Sequence, residues 1–86
     1  MKHAGSEALD AIEPVLREVR LLPGLTEKKR GIFYRKSQAF LHFHEDPAGM
    51  FADLKLAGDK DYTRFRVSTA AERKAFVAAA KRVVAP

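Results

Sequence analysis

Cysteine is absent from the chain. That removes disulfides, thiol nucleophiles and thiolate metal sites together, leaves the core alone to hold the fold, and suits a reducing cytoplasm. Long hydrophobic runs are absent too: no apolar stretch approaches the ~20 residues that span a bilayer, and the opening M-K-H-A-G-S-E-A-L-D has no secretion segment. A soluble, cytoplasmic protein with no membrane partner is expected. Glycine-rich phosphate cradles are missing, and Ser6, Ser37 and Ser68 have no flanking glycine elbow, so nucleotide binding and serine chemistry have no support. An enzyme is therefore not the first expectation.

What is present is an ordinary globular composition, 47% apolar and 31% charged over 86 residues. This length implies one domain, 1–86, with one core and a disordered stretch at residues 1–5. Net charge is +5, with the excess concentrated from Lys28 to Lys36 and in the last helix. That balance favours acidic partners, or simply keeps the protein soluble.

The organising stretch is Gln38 to Leu56, whose two halves alternate apolar and polar residues around Asp46-Pro47 and so read as a β-hairpin. Before it, residues 6–22 carry Leu9, Ile12, Val15, Leu16, Val19 and Leu22 at helical spacing. Pro14 either kinks this helix or lies in its first turn, and Leu22-Pro23-Gly24 ends it. Lys28-Lys29-Arg30 reads as a solvated loop, Gly31–Arg35 as a short aromatic strand, and Lys36-Ser37 as a tight connection. Gly58-Asp59-Lys60-Asp61 turns the chain into a fourth strand, Tyr62–Val67. Thr69 and Glu72 then form a capping box, and Phe76, Val77, Ala80, Val83 and Val84 make the apolar stripe of a final helix.

The expected fold is α+β, in the order α-β-β-β-β-α: a two-layer sandwich in which a four-stranded antiparallel meander carries the N- and C-terminal helices on one face. Pairing Arg35 with Gln38 puts Phe33 opposite Phe40 and Ile32 opposite Leu41; pairing His44 with Gly49 puts Leu41 opposite Ala52. The covered face then holds Ile32, Tyr34, Ala39, Leu41, Phe43, Met50, Ala52, Leu54, Leu56, Phe65 and Val67. The uncovered face holds Phe33, Arg35, Gln38, Phe40, His42, His44, Phe51, Asp53, Lys55, Tyr62, Arg64 and Arg66.

Aromatic and cationic side chains interleaved on an open face suit a binding surface. The leading expectation is a non-enzymatic module that binds a protein partner or a second copy of itself through that face. A basic face with stacking rings also admits nucleic acid as an alternative partner. A third reading is metal: His42 and His44, two apart on a strand, point the same way, and Asp53 lies one strand over, a two-His-one-carboxylate set suited to zinc. Against it, plausible registers place Asp53 opposite Arg64 or Arg66 in an ordinary cross-strand ion pair. No other cofactor is expected.

The run Leu22-Pro23-Gly24-Leu25, an aromatic strand, and then Ala39-Phe40-Leu41-His42-Phe43-His44 resembles the luciferase-like domain family of small bacterial proteins, where a hairpin strand carries a comparable His-x-His. The helix, Pro-Gly, meander and final helix are also similar to the MmcQ/YjbR-like family, associated with a double-wing, DNA-binding type of architecture. The resemblance implies this order of elements and draws attention to His42 and His44.

Overall fold

A computed structural model describes residues 2–57 and 60–85. The chain is α+β. Strands β1 (Lys2–His3), β2 (Leu25–Lys29), β3 (Ile32–Arg35), β4 (Gln38–Asp46), β5 (Gly49–Leu54) and β6 (Thr63–Arg66) form one antiparallel sheet. Helices α1 (Ser6–Ala11), α2 (Glu13–Arg20) and α3 (Ala70–Val84) accompany it. Strands β2 to β6 are neighbours in chain order, and β1 adds to the far half of β4. Gly58 and Asp59 of the expected turn lie outside the described residues.

Two strands extend the expected four. Leu25–Lys29, expected to end in a solvated loop, is the edge strand β2, whose Glu27 pairs with Phe33. Its charged residues give a β-hairpin edge that repels other edges, and that same charge hides its strand character. Lys2–His3, within the stretch expected to be disordered, pairs with β4 through Lys2 opposite Glu45 and His3 opposite His44.

The N-terminal helical pattern is two helices. They break at Ile12, and Pro14 sits in the first turn of α2, where its missing N–H costs nothing. Ser6 opens α1 as a helical residue; Gly5 is its cap and contributes no side-chain bond. Thr69 and Glu72 form the expected capping box on α3: Glu72 N donates to Thr69 Oγ1 at 3.1 Å, and Thr69 N donates to Glu72 Oε1 at 3.0 Å. Lys36 and Ser37 both adopt positive φ, 52° and 66°, which matches the right-handed twist of the hairpin they join.

One irregularity decides which side chains face the helices. Arg35 opposes Gln38 and Tyr34 opposes Ala39 as expected, but the register then shifts, so that Phe33 opposes Leu41 and Ile32 opposes His42. Strand β4 thus carries one extra residue against β3, a bulge at Phe40. In consequence Phe33 and Phe40, expected on the uncovered face, are core residues, 1% and 4% exposed. Arg35 follows Phe40, its guanidinium carbon 5.7 Å from that ring. Ile32 and Tyr34 are displaced from the expected core face in exchange. The β4–β5 pairing is offset by two residues from expectation, with Leu41 opposite Leu54 and Phe43 opposite Ala52, and an even offset leaves the faces unchanged.

The core joins the helices to this face of the sheet. Ile12, Leu16, Val19, Phe33, Leu41, Phe43, Leu54, Val67 and Phe76 are fully buried in one cluster. Phe76 of α3 meets Phe43 and Phe65 edge-on, at centroid distances of 5.7 and 5.5 Å. Gly31 holds φ +82°, and a Cβ there would stand 2.7 Å from Leu9 Cδ2, so the β2–β3 turn can press against α1 only with glycine.

Ion pairs tie the same turn to the helices. Arg20 reaches Glu13 at 2.8 Å and Glu27 at 2.6 Å, and Arg30 reaches Glu13 and Asp10, each at 2.8 Å. The Arg30 hydrogen bond, followed by that from Arg20, lowers the Glu13 carboxyl from an ordinary 4.5 to about 2. A carboxyl depressed on folding contributes stability that is full above the unfolded value and lost as pH falls through the folded one. Urea midpoints should therefore decline between pH 4.5 and 2. The Glu13→Gln variant should start lower and decline less steeply over the same window; parallel curves would show that the network contributes nothing to the acid response.

Candidate functional site

Registration across the sheet builds the site. Two adjacent rows cross the strands on the face away from the core. In one, Ile32, His42, Asp53 and Arg64 are successive partners across β3, β4, β5 and β6. In the other, His3, His44, Phe51 and Arg66 are partners across β1, β4, β5 and β6. Directly paired residues share a face, and so do residues two apart on a strand. The three histidines are all that the chain possesses, and they meet where the rows adjoin on β4.

Their ring centroids are separated by 4.5 Å for His42 and His44, 5.2 Å for His3 and His44, and 5.5 Å for His3 and His42. One ring nitrogen from each lies within 4.8 Å of the other two. His3 is exposed, His42 half-buried and His44 buried, so the cluster runs from solvent into the sheet surface. Tyr62 closes one side, edge-on to His42 at 4.5 Å, with Lys55 Nζ 5.1 Å from the Tyr62 ring centroid.

Asp53 is the electrostatic anchor. Arg64, its cross-strand partner, donates from Nε to Oδ1 at 2.8 Å and from Nη2 to Oδ2 at 2.9 Å, a two-pronged clamp. That clamp holds the Asp53 carboxyl below its ordinary range despite burial. An ionised carboxylate only accepts hydrogen bonds. His44 Nε2, 3.1 Å from Asp53 Oδ2, must therefore be the donor. A neutral His44 then carries its lone pair on Nδ1.

This nitrogen is buried and has no hydrogen-bond partner, and the same is true of His42 Nδ1. Burial also lowers the His42 pKa and favours its neutral, lone-pair-bearing form. Buried polar atoms without partners are few in native proteins and call for an explanation. Here two of them belong to adjacent members of a three-imidazole cluster.

Of the residues expected on this face, His42, His44, Phe51, Asp53, Lys55, Tyr62, Arg64 and Arg66 are brought together, while Phe33, Arg35 and Phe40 are on the core side. Of the two arginines expected opposite Asp53, Arg64 forms the cross-strand ion pair. It takes up the carboxylate that the sequence reading offered as a third ligand. His3 was not anticipated as a member; its one signal in the sequence is that it is the only further histidine. No helix among the described residues is long and apolar enough to cross a membrane. Comparison with family models, curated proteins and solved structures finds no match, so the reading of the site rests on its own geometry.

Proposed function

We propose that this protein is a metal-binding module that holds one divalent transition ion, zinc by preference, on His3, His42 and His44. The observation that carries the reading is the pair of buried, partnerless Nδ1 atoms within a cluster of all three histidines. Three imidazoles without thiolates suit zinc and disfavour calcium or magnesium, which prefer oxygen. Bond lengths of 2.0–2.1 Å would put the three nitrogens roughly 3.3 Å apart in a tetrahedral site, so small side-chain rotations suffice to close the cluster on an ion. Three protein donors leave the fourth position to water or an external ligand.

Asp53 fits a supporting role better than a ligand's. By accepting from His44 Nε2 it fixes the tautomer, leaves the Nδ1 lone pair free to bind and raises the basicity of the ring, the usual part of a carboxylate behind a metal-bound histidine. In a two-layer arrangement with the helices on the far side, this leaves the histidine face for the ion. The two arginines that nucleic-acid binding would use are engaged, Arg64 by Asp53 and Arg66, more loosely, by Glu72 at 3.8 Å. Self-association through this face loses the Phe33 and Phe40 anchors to the core.

Equilibrium dialysis of tag-free protein should recover one zinc per chain. His42→Ala and His44→Ala should abolish stoichiometric binding, and Asp53→Asn should weaken it by about 10–100-fold. Cobalt in place of zinc should give the intense visible bands of a tetrahedral site. Substoichiometric zinc, or binding indifferent to the histidine substitutions, would refute the proposal.

A further inference from the structure

A second feature lies on the helical side of the molecule, away from the histidines. Helices α2 and α3 flank a groove of about 690 Å³. Val15 and Val77 form its floor, both nearly buried, with Pro14 and Ala78 beside them. Along α3 the lining includes Ala70, Lys74, Val77 and Lys81. Their spacing of four, three and four residues is the stripe one helix presents to another. It spans roughly 16 Å at ~1.5 Å per residue, three turns of helix.

The rim is strongly one-signed. Arg17, Arg73, Lys74 and Lys81 line the groove against a single acid, Glu18. Arg17 is held loosely by Glu13, at 3.5 Å, and Arg73 Nε donates to Val67 O. Lys74 and Lys81 have no ion-pair partner among the described residues.

We infer that this groove is a docking site for an acidic amphipathic helix of a partner protein. The apolar floor and helical stripe select a helix with small or aliphatic residues on one face, and the cationic rim selects Glu or Asp flanking that face. A second copy of this chain is disfavoured, because apposing two such grooves brings like charges together. Nucleic acid would leave the apolar floor unused and find no aromatic ring in the lining on which to stack a base. A flat anionic membrane does not fill a groove between helices.

The test uses a designed helical peptide of about 18 residues, long enough to cover the groove, with leucine on one face flanked by glutamate. Its control replaces each glutamate with lysine. Titration into the labelled protein should shift the amide resonances of Ala70, Lys74, Val77 and Ala78, and the lysine peptide should leave them in place. Lys74→Glu with Lys81→Glu, both on exposed positions and checked for an unchanged circular dichroism spectrum, should weaken binding at least ~10-fold by converting attraction into repulsion. Absence of shifts in the groove, equal binding of the two peptides, or stronger groove shifts with duplex DNA or anionic vesicles would each overturn the assignment. Metal binding at the histidines is unaffected by any of these outcomes.

Discussion

Replacing Phe33 with alanine should destabilise the protein by about 3–5 kcal/mol, the cost of removing a large ring from a packed interior. A domain of this size has roughly 5–15 kcal/mol in total. At roughly 4–8 °C per kcal/mol, the melting temperature should fall by tens of degrees, and a chain at the lower end of that range would be largely unfolded. The contrast that gives the result its meaning is Phe51→Ala. Phe51 lies on the histidine face, half-buried between His44 and Arg66, and its loss should cost only about 1 kcal/mol. Without the bulge at Phe40 the two phenylalanines would share a face and the two substitutions would cost similar amounts. Thermal melts of the two variants therefore read the β3–β4 register directly; equal costs, or a larger cost for Phe51→Ala, would contradict it.

That register marks the limit of what the sequence reveals about the fold. Ile32 and Phe33 are both apolar, as are Phe40 and Leu41, so alternation alone satisfies a straight pairing and a bulged one equally well. Only tertiary burial selects the second, because it places two large rings in the common core in exchange for Ile32 and Tyr34. A bulge also inverts every position on β3 while leaving β5 and β6 untouched. Hence His42, His44, Asp53 and Arg64 were legible as one surface. Their pairing was offset by an even number of residues, which preserves faces.

The missing parts of the site and the sheet were invisible for a different reason. A two-residue strand such as β1 has no period to detect, and the charged β2 carries the residues that protect a sheet edge rather than those that advertise a strand. His3 therefore entered the site only through tertiary pairing. Asp53 was legible as a partner of arginine and also as a metal ligand. The arginine pair is formed, and with His44 it takes up both carboxylate oxygens.

Zinc should raise the stability of the protein, and the size and location of that effect follow from where the histidines sit. At a free concentration of about 100 times Kd, a ligand that binds only the folded state contributes about 2.7 kcal/mol, here a rise of roughly 10–20 °C in melting temperature. The gain should not be spread evenly. Besides its two-residue ladder with β4, strand β1 is held by the Ala4 N donation to Phe43 O at 3.2 Å, a donation from Gly5 N to Glu45 Oε1 at 3.1 Å and an exposed Lys2–Glu45 pair at 3.6 Å. Both its residues are exposed, so it belongs among the segments that open most readily. An ion shared by His3 and the two histidines of β4 would link this strand to the centre of the sheet. Zinc should then slow amide exchange at Ala4 far more than at Phe43, with a chelator reversing both effects. In the His3→Ala variant the local protection should vanish while a reduced thermal shift persists through His42 and His44. A thermal shift with no change at Ala4 would place His3 outside the ligand set, and no thermal shift at all would remove the metal from the function of this protein.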